Sequence, residues 1–283
     1  MKIAISAETT VDMTPDLIEK YKVNIIPFTV ILGDREVFDG EISTEEIFDY
    51  VNKTKILPKT SAINSAQYEE HFAKLKKDYD AIVHISLSSK ISSSCQNAIN
   101  ASKEFENVYV VDSLSLSTGI ALLVMYASKL ADKGYDAKTI YDKVLERVPY
   151  VQTSFELQRL DYLFKGGRCS SLAYFGANLL KLCPEIVMKE GKMVAGRKYR
   201  GSFEKVVTSY CKNVLDEHNN PDLENAFVTY TTATEEAKQI AVNALKERGF
   251  KNIYVTRAGG TITSHCGERT LGILYINDGG KQI

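Results

Sequence analysis

The sequence predicts an α/β protein in two parts: a parallel-sheet α/β domain over residues 1–150 and a second α/β or α+β domain over residues 151–283, divided near Val148–Thr153. Three observations carry this. Short apolar runs alternate with segments of helical periodicity through the first half, the order that builds a parallel sheet. One of these runs, Ala81-Ile82-Val83-His84-Ile85, passes directly into a serine-rich stretch, Ser86 to Ala98, and from there into residues of helical character. The second half changes texture: Glu185-Ile186-Val187-Met188, a Glu190-Gly191 turn and Met193-Val194-Ala195 read as a β-hairpin.

Taken in order, Lys2 to Ser6 reads as a first strand, and Thr14-Pro15-Asp16 opens a helix with Thr as N-cap and Pro in the first helical position. Val23 to Leu32 reads as one strand, edge-placed or kinked by Pro27. Ser43-Thr44-Glu45-Glu46 is a capping-box pattern ahead of Ile47, Tyr50 and Val51 at helical spacing. Lys59 to Ser65 reads as a polar loop, with Ser65 capping a helix that aligns Tyr68, Phe72 and Leu75. Val108 to Ser113 is a further strand, and two long helices follow, Gly119 to Lys133 and Asp136 to Val148. Beyond them come a strand at Thr153 to Leu157, a short helix stopped by Gly166-Gly167, a helix at Leu172 to Leu182, the hairpin, and helices at Phe203 to Leu215 and Thr234 to Arg248. Strands at Ala226 to Tyr230, Ile253 to Thr256 and Leu271 to Ile276 complete the set.

Net charge is −1 over 283 residues, so nothing global attracts nucleic acid or an anionic membrane. The longest charge-free run, Ser113 to Ser128, is interrupted by Ser115, Ser117 and Thr118 and is too short to span a bilayer, so stable membrane insertion is not expected. No signal peptide fits the start. Five cysteines, odd in number and without a CxxC pair, suit reduced thiols in a cytoplasm.

Four segments have chemical potential. In the first, Ser86, Ser88, Ser89, Ser92, Ser93 and Ser94 sit where a strand gives way to a helix. There, free backbone N–H groups, the positive end of the helix dipole and hydroxyls together suit an anion such as a carboxylate or phosphate. The same serines also suit plain helix capping. The second is the hydroxyl pair Thr60-Ser61. The third is Lys165-Gly166-Gly167-Arg168-Cys169-Ser170, a tight turn beside an anion-binding side chain. The fourth is Thr263 to Arg269, with His265, following a flexible Ala258-Gly259-Gly260-Thr261. Cys95, Cys169 and Cys266 fall in these segments, so a thiol nucleophile or a metal site is conceivable, as is a hydrolase using Ser92, although no GxSxG elbow is present.

TS at 60–61, LSSKIS at 87–92, VVDS at 110–113, YLFKGGRCS at 162–170 and HCGERTLG at 265–272 resemble, in order and spacing along the whole chain, the signatures of the DegV family. That resemblance implies a two-domain α/β fold with a long-chain fatty acid between the domains. It implies a lipid-binding protein that is not itself an enzyme, with no cofactor, no metal and no catalytic residue of its own. Its bacterial, cytoplasmic role is to present the acid to a separate ATP-binding fatty acid kinase subunit, whose acyl phosphate feeds phospholipid synthesis. By motif position Thr60 and Ser92 donate to the carboxylate, His265 contacts that end of the ligand, and Arg168 lies near the head group or the kinase. Ser61, Ser93, Ser94, Gly166 and Gly167 are secondary candidates, and Phe28, Ile91, Leu163 and Leu271 neighbour the motifs as tail-lining candidates. A carrier or sensor without a kinase partner is the alternative.

The chain also departs from the family pattern. Ala62-Ile63 stand where Gln-Pro is usual, and Cys183 and Glu185 flank Pro184 in place of Lys and Ile. Ser93 replaces a glycine, which raises the expectation of a positive φ there. Glu268-Arg269 bring two charges beside the expected head group.

Overall fold

A computed structural model describes residues 1–169 and 183–280. In chain order these form β1 (Ile3–Glu8), α1 (Pro15–Lys20), β2 (Val23–Ile26), β3 (Thr29–Leu32), β4 (Arg35–Phe38), α2 (Thr44–Thr54), β5 (Lys59–Ser61), α3 (Ser65–Leu75), β6 (Ala81–Ser86), α4 (Ser94–Ser102), β7 (Val108–Asp112), α5 (Thr118–Asp132) and α6 (Ala137–Arg147). There follow β8 (Val151–Leu157), α7 (Asp161–Lys165), β9 (Cys183–Lys189), β10 (Lys192–Tyr199), α8 (Phe203–Glu217), β11 (Asn225–Tyr230), α9 (Glu235–Arg248), β12 (Asn252–Arg257), α10 (Gly260–Cys266) and β13 (Thr270–Ile276). The helix expected at Leu172 to Leu182 lies outside the described residues.

The N-terminal strands make a parallel sheet in the order β2-β1-β6-β7. Both central strands are buried along their length, which explains runs such as AIVHIS that do not alternate. The C-terminal sheet, β10-β9-β8-β13-β11-β12, is antiparallel except for β11 beside β12. The hairpin forms as expected, with Glu190 and Gly191 both at positive φ in its two-residue turn. Between the two sheets lies α5. It packs against β1 and β6 on one side and β8, β11 and β13 on the other, which is why its sequence is apolar all round rather than on one stripe. The main core accordingly runs through it, from Ile82 and Ile120 to Phe155, Phe227 and Leu274.

Four local expectations are corrected. Val23 to Leu32 is two strands in different sheets, because Pro27 and Phe28 interrupt it. Residues 59–61 are not loop but β5, which joins β3 and β4 in a small antiparallel sheet. Asn64, not Ser65, caps α3, in a capping box with Gln67. The stretch from Gly260 is not a flexible loop but α10. Its first N–H groups are taken by two buried aspartates from distant loops: Gly259 N–H donates to Asp12 Oδ1 (2.8 Å), Gly260 N–H to Asp39 Oδ1 (2.6 Å) and Thr261 N–H to Asp39 Oδ2 (3.0 Å). Burial pushes the Asp12 carboxyl up to about 8, against hydrogen bonds from Ser117 and Gly259.

Asp39→Ala strands two buried N–H groups at the start of α10. We expect it to lower unfolding stability by roughly 2–4 kcal/mol, read by urea denaturation; a loss below about 0.5 kcal/mol would show that the aspartate is not what holds the helix.

Candidate ligand-binding site

The carboxyl ends of the parallel strands are organised by buried acids. Glu8, at the end of β1, accepts from the Tyr68 hydroxyl (2.7 Å), the Ser86 hydroxyl (2.6 Å), the Leu87 N–H (3.0 Å) and His84 Nε2 (3.2 Å). Burial alone would raise its carboxyl; His84 and the two hydroxyls outweigh that and hold it below the usual carboxylate range. Asp112 Oδ1 accepts from both Ser89 N–H and Leu114 N–H, at 3.1 Å each, and so joins the serine loop to the loop before α5. The hairpin turn of the C-terminal sheet docks on the same loop, where the Ser88 hydroxyl donates to the Gly191 carbonyl (2.7 Å). A Cβ at Gly191 would stand 2.7 Å from that hydroxyl oxygen, so the close approach requires glycine there.

Between these loops, β5 and α10 lies a cavity of about 420 Å³. Thr60, Ser89, Lys90, Ser92, Ser93, Arg168 and His265 line it, so each of the four segments singled out in the sequence reaches it. Phe28 and Ile91 line it too, together with Leu87, Leu116, Met193 and Ile262. Leu163 and Leu271, expected along the tail, are instead buried in the two larger cores. Leu116, Met193 and Ile262 had no motif or periodicity to mark them.

At the polar end, Thr60 Oγ1 and His265 Nε2 are 2.8 Å apart. His265 Nδ1 is buried without a hydrogen-bond partner among the described residues, and a Cβ at Gly166 would lie 2.7 Å from it. Gly166 is therefore the floor on which the imidazole rests, while Gly167 takes a positive φ of 70° to turn the chain. Burial, with the Arg168 charge adding to it, drops the His265 ring to about 4, so it is neutral at physiological pH. Arg168 itself is exposed at the cavity mouth and donates to the Gly166 carbonyl at 2.5 Å.

The Ser92 hydroxyl donates to Ser94 Oγ (3.0 Å) and its oxygen accepts the Ser94 N–H (3.2 Å). Ser94 is buried and also accepts the Ile63 N–H (3.1 Å), so it supports the loop rather than the cavity wall. Ser93 sits at φ −77°, ψ −7°, a backbone any L-residue adopts, so the positive φ expected for a residue in place of glycine does not occur. Ser61 is exposed and turns its hydroxyl to the Ala62 carbonyl, away from the cavity. Glu268 pairs with Arg159 (3.6 Å) and the Arg269 guanidinium with Gln158 (3.1 Å); neither lines the cavity, so the two expected charges are directed elsewhere.

The geometry does not suit nucleophilic chemistry. His265 is bonded to Thr60 and not to Ser92, so among the described residues no base is hydrogen-bonded to the serine. Burial pushes the Cys95 and Cys266 thiols up to about 12, which keeps them protonated. Among the described residues no group of three His, Cys, Asp or Glu side chains is placed to hold a metal ion. None of their helices is long and apolar enough to cross a membrane.

A two-part α/β protein, with a cavity that joins an apolar wall to hydroxyls, an imidazole and the cationic Lys90 and Arg168, has the features of a binding protein for a small amphiphile. The family model described as "Uncharacterised protein, DegV family" matches residues 2–278, and the chain belongs to the DegV family. It is 29% identical to a protein of Thermotoga maritima named a fatty acid-binding protein, over 96% of each chain. Its fold superposes with a TM-score of 0.90 on a DegV family protein from Thermus thermophilus described by its fatty acid binding, at 25% identity over 98% of this chain and 100% of that one. The Streptococcus pneumoniae fatty acid kinase B3 protein, solved loaded with linoleic acid, shares the fold (TM-score 0.83) at 18% identity over 98% of this chain and 100% of that one.

Gly166→Ala should push the imidazole off its seat and toward solvent. We expect the His265 titration midpoint, followed by NMR of the ring, to climb from about 4 toward the 6.5 of a free imidazole; an unmoved midpoint would show that the ring is held by something other than Gly166.

Proposed function

We propose that this chain binds a long-chain fatty acid, with the carboxylate held by Thr60, Ser92 and His265, and presents it to a separate ATP-dependent kinase subunit. The observation that carries the reading is the Thr60–His265 pair in a cavity that also presents Ser92 and Lys90 and is walled by Phe28, Leu87, Ile91, Leu116, Met193 and Ile262. A carboxylate leaving water needs several donors. In the tautomer that donates Nε2–H to Thr60 Oγ1, His265 acts on the carboxylate through the threonine, whose hydroxyl is then free to donate to the ligand, and the Ser92 hydroxyl turns from Ser94 to do the same. Ser94 Oγ keeps the Ile63 N–H when that happens, so little is lost.

Neutral donors have a consequence for the chemistry. They stabilise the anion without neutralising it, which leaves a carboxylate oxygen able to attack the terminal phosphorus of ATP on the partner. ADP leaves, and an acyl phosphate remains. Arg168 is exposed and lines the cavity, which supports a role toward the phosphoryl group or the partner rather than as an anchor of the ligand. Hydrocarbon burial supplies most of the affinity, roughly 11 kcal/mol gross for fourteen methylenes at about 0.8 kcal/mol each. The kinase coupling, the bacterial cytoplasmic setting and the phospholipid destination rest on family membership.

Denaturing extraction of the native purified protein followed by mass spectrometry tests the reading. One long-chain fatty acid per chain is the expected result; a protein filled with a lipid lacking a free carboxyl would overturn it. In binding assays, Thr60→Ala and Ser92→Ala are each expected to weaken palmitate binding by about 1–3 kcal/mol. Arg168→Ala should reduce acyl phosphate formation by an added kinase subunit more than it reduces binding, and equal losses would refute that division.

A further inference from the structure

Beneath the serine loop the parallel sheet carries a row of polar side chains that do not line the cavity. Toward their carboxyl ends β1 and β6 alternate apolar and polar residues: Ile5, Ala7, Val83 and Ile85 against Ser6, Glu8, His84 and Ser86. Side chains alternate across a strand, so the four polar residues share one face of the sheet. Ser6 stands directly opposite His84 in the register. α3 covers this face, and the rings of Tyr68 and Phe72 lie edge-on to the imidazole, their centroids 5.3 and 5.7 Å away. Ser6, Glu8, His84 and Ser86 are all shut off from solvent.

One hydrogen-bonded chain runs through them. His71 Nε2, on α3, is 2.8 Å from Ser6 Oγ, which is 3.0 Å from His84 Nδ1, and His84 Nε2 is 3.2 Å from Glu8 Oε1. His71 is the half-buried outer end. The inner end is the serine loop, because Glu8 also takes the Ser86 hydroxyl and the Leu87 N–H, and Leu87 lines the cavity. An ionised carboxylate only accepts, so His84 Nε2 must carry a hydrogen. Ser6 keeps it there. Its hydroxyl either donates to Nδ1 while accepting from His71, or accepts from a protonated Nδ1–H while donating to His71. In both arrangements the Nε2–H stays on Glu8. Burial drops the His71 ring to about 3, so it is neutral and serves in either.

We propose that His84 is a positioning residue for the ligand site: through Glu8 it holds the start of the serine loop in its binding arrangement, and Ser6 and His71 keep its ring to that task. This rests on the fatty acid reading above and adds to it a residue that does not touch the ligand. Glu8 is faced by His84 from β6, by Tyr68 and His71 from α3 and by the Cys95 thiol from α4, with Lys74 acting on His71. Of these, His84 alone bonds the carboxylate through a group that can carry positive charge. Without its ring, burial acts on Glu8 against fewer partners, and the carboxyl takes up a proton at higher pH than in the parent. A protonated Glu8 accepts less strongly, and its hold on the Leu87 N–H weakens. Ligand affinity is then lost as pH falls, over a range in which the parent keeps it.

The test measures palmitate affinity of the delipidated full-length protein and its variants at pH 8 and at pH 5.5. The ligand's own titration is common to all of them, so the readout is the ratio of variant to parent at each pH. His84→Leu supplies bulk without an N–H. It is expected to bind within about threefold of the parent at pH 8 and roughly tenfold or more below it at pH 5.5. His84→Gln, whose amide can donate to Glu8, is expected within about threefold of the parent at both. A His84→Leu ratio that is the same at the two pH values overturns the proposal, because lost packing alone carries no such pH dependence. A His84→Gln variant as weak as His84→Leu at pH 5.5 overturns it too. If the parent does not bind palmitate, the fatty acid reading fails and takes this proposal with it. Should His84→Leu not fold, Ser6→Ala, which leaves Nδ1 without its partner, is read in the same way; a fall in its ratio of about threefold or more between the two pH values is expected, and an unchanged ratio refutes the proposal.

Discussion

The site depends on two buried aspartates that accept the first N–H groups of α10. Asp12 and Asp39 come from the N-terminal part, and the helix they hold comes from the C-terminal part. The helix is only seven residues long and would be marginal without such partners. Once held, it contributes three side chains to one cavity: His265 against Thr60, and Ile262 and Cys266 in the wall. The approach is close enough to require glycine. A Cβ at Gly259 would stand 3.0 Å from Asp39 Oδ1 and 3.1 Å from Asp12 Oδ1, and one at Gly260 would press on Ile42 and Val30 as well. Two glycines that read as flexibility in the sequence are therefore there for contact.

The same contrast between appearance and use runs through the polar end. A histidine beside an arginine suggests a charged anion trap. Burial instead leaves the imidazole neutral and the arginine outside, at the mouth. On the proposed reading, Thr60, Ser92 and His265 would meet the anion through dipoles, which would keep its charge available for chemistry performed on it by another molecule.

Much of the scaffold was legible because its signals are local. The capping box at Ser43, the Glu190-Gly191 hairpin turn and the αL glycine after α9 each involve residues a few positions apart. The serine loop, Thr60, the Gly166-Gly167 turn and His265 were legible as motifs, and the structure brings Thr60, Ser92, Arg168 and His265 to one cavity. What could not be read is whatever depends on distant partners. The α10 helix has no apolar periodicity and no capping residue of its own, since its caps are 221 and 247 residues away. β5 is three residues of polar sequence that become a strand only because β3 pairs with them. The positive φ expected at Ser93 fails for a related reason: the residue enters α4 in a right-handed turn, a matter of how the loop packs and not of which residue is usual there.

The position of the cavity has a thermodynamic consequence. The main core passes without a break from one sheet through α5 to the other, so the two parts are not separate bodies joined by a linker. The cavity is a gap in that same layer, walled by Leu87 and Leu116 from one side and by Met193 from the other. An acyl chain lying there would occupy the place of missing core side chains and bury the facing walls against itself. Ligand binding and folding then draw on the same hydrophobic term, and anything that binds only the folded state stabilises it by mass action. Release of the chain must expose those walls to water or to another apolar surface. On the proposed reading the ligand-free protein is for that reason the less stable form.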